Sequence, residues 1–207
     1  MNIGTLATPA AIVGGEWRPA IGDPTFVGWL TVAAYFAAAL ICGLAARREP
    51  APDGRARPGP TPFWLALTTL MILLGINKQL DLQSLLTVTA RRILTASGLY
   101  AGRRTYQVAF IGAVGATCAV LLGISAWASR RSLRHRGVAM VGMAFVLGYV
   151  AIRAASFHHV DALIGSRLGG LKWNWIFELG GILVIIAGGS GVAFRRPKPS
   201  RQGSGRR

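Results

Sequence analysis

The stretch Arg153-Ala-Ala-Ser-Phe-His-His-Val-Asp161 sets a guanidinium, a hydroxyl, two imidazoles and a carboxylate at the end of an apolar run. These are residue types that do acid/base work. An imidazole titrates near neutral pH, so His158 with Asp161 has the makings of a general base, and Ser156 with His159 those of a nucleophile and its base. Glu178, in a partly apolar setting, is the candidate general acid. On a helix the 100° step puts His158 and Asp161 on one side, Ser156 and His159 on another, and Arg153 between Asp161 and Ser156.

Adjacent histidines diverge on a helix, so a metal at His158 or His159 needs ligands from other helices, and Asp81 and Glu178 are the available carboxylates. A divalent metal therefore stays open. Haem is disfavoured because two of the three histidines are neighbours, and an iron-sulfur cluster because Cys42 and Cys118 stand singly in separate apolar runs, where they read as packing residues.

A second polar string, Gly75-Ile-Asn-Lys-Gln-Leu-Asp-Leu-Gln83, spaces Asn77 and Asp81 by four residues and Lys78 and Asp81 by three, which suits an internal ion pair on a helix. Lys78, Arg103 and Arg104 suit a phosphate-bearing head group, and Asn77, Asp81 and Arg153 complete the candidate binding set.

The elements that must position these groups are membrane helices. The chain has 207 residues, of which 52% are hydrophobic and 14% charged, with a mean hydropathy of +0.46. Such a composition describes one integral-membrane unit. The apolar runs predict an all-α bundle of five transmembrane helices at about 26–46, 62–80, 108–128, 137–157 and 173–194. Leu82, Leu85, Leu86, Ile93 and Leu94 lie largely on one face, with Arg91 and Arg92 interrupting, so 82–98 reads as an interfacial amphipathic helix.

Ala33 with Ala37, Ala34 with Ala38, and Gly115 with Ala119 are small pairs for close helix packing, and Gly188-Gly-Ser-Gly191 reads as a packing stretch of the fifth span. Residues 1–25 lack a signal-peptide pattern and read as a retained, turn-rich cap, with Trp17 and Trp29 near the membrane boundary. Residues 195–207 form a basic tail attracted to anionic lipid, and His135 belongs to a solvated arginine cluster.

The net charge of +16 falls in short clusters beside apolar runs, which marks topology rather than a nucleic-acid surface. Fourteen of the 23 Lys+Arg follow the first, third and fifth spans, and nine lie on the other side. The positive-inside rule then places the C-terminus in the cytoplasm and the N-terminus outside. At 1.5 Å per residue Lys78 stands ~24 Å from Pro62, and Arg153 ~23 Å and His158 ~30 Å from Val138, so the polar motifs share the outer third with Glu178.

Two readings follow. One is hydrolysis or group transfer on a lipid-linked or envelope substrate. The other is an ion-pair layer in a non-enzymatic membrane-complex subunit or lipid-binding module, with membrane lipids and a membrane protein as partners and no nucleic acid. The strings GINKQLDLQ (75–83) and RAASFHHVD (153–161) resemble those of a family of small bacterial inner-membrane proteins; the resemblance covers most of the chain and implies that location, but carries no mechanism.

The orientation is tested with reporter fusions: one after Arg207 is expected to be active only in the cytoplasm, and one near Leu99 only outside. Both reporting from the same side would separate the polar motifs into different leaflets.

Overall fold

The computed structural model describes residues 12–13, 16–17, 23–51, 59–80, 85, 88–89, 92–93, 95–97, 103–155, 167–168 and 171–195. Five long helices dominate: α1 (Phe26–Arg48), α2 (Pro62–Leu80), α3 (Arg103–Ser129), α4 (Leu133–Ala155) and α5 (Trp173–Ala193). α1 to α4 each contain a stretch long and apolar enough to cross a membrane; in α5 the apolar stretch Phe177–Ala193 is shorter. Leu40, Leu73, Ile124 and Leu183 point outward, as suits a bundle solvated by lipid rather than water. The described positions within 82–98 are helical at Leu85, Val88, Thr89, Arg92, Ile93, Thr95 and Ala96. Two antiparallel ladders of two residues per strand, β1 (Ile12–Val13) with β2 (Glu16–Trp17) and β3 (Arg167–Leu168) with β4 (Leu171–Lys172), are the β structure among the described residues.

Local chemistry fixes the helix ends. Thr25 caps α1 by accepting a hydrogen bond from the Gly28 amide at 3.0 Å, while its own hydroxyl donates to Asp23 Oδ1 at 2.6 Å. The close approach of Asp23 is what makes residue 28 a glycine, since a Cβ there would stand 2.5 Å from the Asp23 backbone oxygen. Pro62 opens α2, where a missing amide hydrogen costs nothing. Two starts lie earlier than the hydropathy pattern suggests. α3 already includes Arg103 and Arg104, and α4 begins at Leu133, so that Arg134, His135 and Arg136 are helical; the Ser132 carbonyl accepts from the amides of His135 and Arg136.

Successive helices run antiparallel, and the packing surfaces are small. On α1 the buried small residues are Ala38, Ala39, Cys42, Ala45 and Ala46, whereas Ala33 and Ala37 face outward. The expected Ala33/Ala37 face is thus the lipid side; the 100° step leaves the other alanine row inward. Cys42 and Cys118 are buried and unpaired. The tightest crossing joins α4 to α5: a Cβ built on Gly142 would come within 2.7 Å of the Gly181 carbonyl oxygen, and one on Gly188 within 2.6 Å of the Ala139 nitrogen. Without a hydrophobic drive between helices in lipid, such close backbone contact supplies the attraction. Between the two ends of the bundle lies an apolar layer of Leu67, Met71, Val146, Ile182 and Ile185, all fully buried.

Gly142→Ala and Gly188→Ala are each expected to cost about 1–3 kcal/mol by overpacking, while Gly148→Ala, with nothing within 4 Å of the new methyl, should melt at or slightly above wild type. Thermal midpoints in detergent decide the matter, and a wild-type midpoint for Gly142→Ala would move the crossing elsewhere.

Candidate functional site

The end of the bundle where α2 and α4 finish and α1 and α5 begin is built around one carboxylate. Glu178, in the second turn of α5, is 2% exposed. Its Oε2 accepts a hydrogen bond from Lys78 Nζ at 2.9 Å, and its Oε1 accepts one from the Tyr35 hydroxyl at 3.2 Å. Tyr149 on α4 lies beside this carboxylate, and its hydroxyl accepts from Arg153 Nη1 at 3.3 Å. Lys78 is 11% exposed and has a second, weaker partner in Asp23 Oδ2 at 3.9 Å. Four helices therefore converge on Glu178.

Sequence position explains why these groups meet. Lys78 and Arg153 lie in the last turns of α2 and α4, where the helix dipole favours cations. Gly75, one turn before Lys78, lets α2 approach α1 until a Cβ there would stand 3.1 Å from Tyr35 Cβ. Tyr35 is fully buried, with its ring among the helices and its hydroxyl at the carboxylate.

Of the polar set read from the sequence, the structure brings Lys78 and Glu178 into contact and places Arg153 against Tyr149. Tyr35, Tyr149 and Asp23 were missed, although an isolated tyrosine in an otherwise apolar span was a usable signal. Asn77 is half-buried on α2. Arg103 and Arg104 begin α3. Ser156, His158, His159, Asp161 and Asp81 lie outside the described residues, as does the geometry of any base or nucleophile they make. Among the described residues no three His, Cys, Asp or Glu side chains come together as a metal site.

A second buried charge pair occupies the opposite end. Arg136 Nε donates to Glu49 Oε1 at 2.9 Å and Oε2 at 3.2 Å, with both side chains nearly inaccessible. Its Nη1 donates to the Ala128 carbonyl at 3.3 Å, and the guanidinium stands 5.4 Å over the Phe63 ring. Arg136 thereby ties α1, α2, α3 and α4 together. Hydropathy assigned it to a loop, because an arginine cluster after a span looks like a topology signal. His135 is half-buried, with Nδ1 3.1 Å from Arg195 Nη1.

The fold and this double layer of buried ion pairs define an all-helical membrane bundle. Comparison with known protein families, curated proteins and solved structures finds no match.

Charge removal separates pairing from packing. Lys78→Met leaves a buried carboxylate without its cation and is expected to cost about 3–5 kcal/mol, much of which the double variant Lys78→Met/Glu178→Gln should recover. Asp23→Asn, at a partly exposed and longer contact, should cost under about 1 kcal/mol. Additive losses in the double variant would mean that the two side chains act independently.

Proposed function

We propose that this chain is a non-enzymatic subunit of a membrane complex, held in a bacterial cytoplasmic membrane with its N-terminus outside and its C-terminus in the cytoplasm. The observation that carries the reading is the 2.9 Å pair of Lys78 with Glu178. The charges best placed for substrate binding and acid catalysis are committed to each other, so the layer works as a joint between helices. The basic asymmetry of the chain supports the orientation, and the two motif strings support the membrane.

A lateral surface suits such a subunit. Only 6% of the apolar stretch of α3 is buried, against 39% in α1 and α4. Gly112, Ala116, Ala119 and Gly123, at steps of four, three and four, form one outward face of α3, whereas α4 packs on the side of Cys118 and Leu122. Small residues facing outward give lipid little to hold and allow a partner transmembrane helix to approach closely.

Hydrolysis or group transfer on a lipid-linked substrate remains a second reading. Lys78 and Arg153 lie two residues before the ends of α2 and α4 and flank Glu178 and Tyr149, so these two helices end on the same side of the bundle, and Asp81 and Ser156 are the next residues in the sequence.

The test uses native membranes. Ala116→Cys is expected to crosslink into a discrete adduct that Leu73→Cys, on exposed α2, does not give. An adduct of twice 21.9 kDa would identify a second copy as the partner. Ala116→Leu/Gly123→Leu should remove most of the larger species from native gels. An unchanged assembly, together with loss of deletion complementation in His158→Ala or Ser156→Ala, would replace the subunit reading with the enzymatic one.

A further inference from the structure

Beyond the protein contact on α3, the Arg136 end of the bundle carries a basic rim. Arg48 Nη1 donates to the Ala193 carbonyl at 2.7 Å, Arg195 meets His135, and Arg136 meets Ala128, so the ends of α1, α5, α4 and α3 are brought side by side. Arg47, Arg130, Arg131 and Arg134 are exposed around these contacts. The described acid at this end is Glu49, which is buried against Arg136 and neutralises none of the exposed arginines.

The α3–α4 corner is the best-defined part of the rim. Trp127 is 66% exposed near the end of α3, and the Arg130 guanidinium stands 4.9 Å over its ring. Stacking uses the flat face of the guanidinium and leaves its in-plane N–H groups free to donate in a fork. Arg131 and Arg134 flank it across the short turn through Ser132, where α4 begins and its first amides lack helical acceptors. An indole at head-group depth beside three forked cations matches one kind of ligand, a phosphodiester anchored by acyl chains.

We propose that Trp127, Arg130, Arg131 and Arg134 form a binding site for the head group of an acidic phospholipid. The indole packs on the glycerol and upper acyl region, and the arginines hold the phosphate. The site rests on neither the α3 contact nor the chemistry of the other end.

The full chain is reconstituted in nanodiscs of phosphatidylcholine alone or mixed with phosphatidylglycerol, and lipids retained after detergent extraction are weighed by mass spectrometry. Wild type should enrich phosphatidylglycerol on the order of tenfold over its share, and Arg130→Gln/Arg131→Gln/Arg134→Gln should lower that enrichment by about fivefold or more. Arg130→Lys/Arg131→Lys/Arg134→Lys, which keeps the charge but loses the stacked fork, should fall between the two and guards against misfolding of the glutamine variant. Undiminished enrichment in a glutamine variant that melts normally in phosphatidylcholine would overturn the site. So would inorganic phosphate raising the wild-type midpoint in phosphatidylcholine discs as much as phosphatidylglycerol does, since the site would then hold a free ion.

Discussion

A carboxylate inside an apolar bundle must be compensated by groups that reach it, and Glu178 imposes that constraint on nearly every helix. Left alone in such surroundings it would cost several kcal/mol. Its partners come from α1, α2 and α4, as far as 143 residues away in the chain. Each can reach it only if its helix stops at the right height and turns the right face inward. The glycines at the α4–α5 crossing serve the same end: by letting the two backbones touch, they bring Tyr149 and Glu178 onto adjacent faces. Packing and electrostatics are thus one constraint seen from two sides.

The Glu49–Arg136 pair repeats the arrangement at the other end. Two pins separated by an apolar layer fix both the tilt and the register of the helices, which a single pin cannot do. The pins matter more in lipid than in water, because apolar side chains gain little by leaving lipid for one another. The arrangement also has a cost. Thr61 Oγ1, Trp64 Nε1 and Ser129 Oγ are buried around the Arg136 end without a hydrogen-bond partner among the described residues.

Much of the architecture was legible in the sequence because membrane spans are set by length and apolarity, both local properties. The α2 boundaries follow from Pro62 and the polar string after Gly75. Counting residues along α2 and α4 puts Lys78 and Arg153 near the same ends of their helices, where Lys78 meets Glu178. Who pairs with whom was not legible. Lys78 has Asp81 three residues away, and the nearer carboxylate is the natural guess from spacing; its described partners, Glu178 and Asp23, come from other elements. Arg136 was hidden differently, since its buried role depends on Glu49 folding back at the end of α1, while its neighbours Arg130, Arg131 and Arg134 are as exposed as a topology signal requires.

The clamp also decides which residues can report on chemistry. Lys78 and Arg153 hold the exits of α2 and α4, and through Glu178 they hold each other. Loss of any of the three disturbs the ends of both helices, so loss of function in those variants speaks of architecture as readily as of chemistry. Ser156, His158 and His159 follow the end of α4 and are not members of the described clamp. Their effects can be separated from folding by measuring stability alongside. The same logic holds at the opposite end, where Arg136 is architectural and its exposed neighbours are free to face a ligand. At the start of α4, therefore, the buried Arg136 sets the position, and the exposed Arg130, Arg131 and Arg134 are the groups whose chemistry remains available.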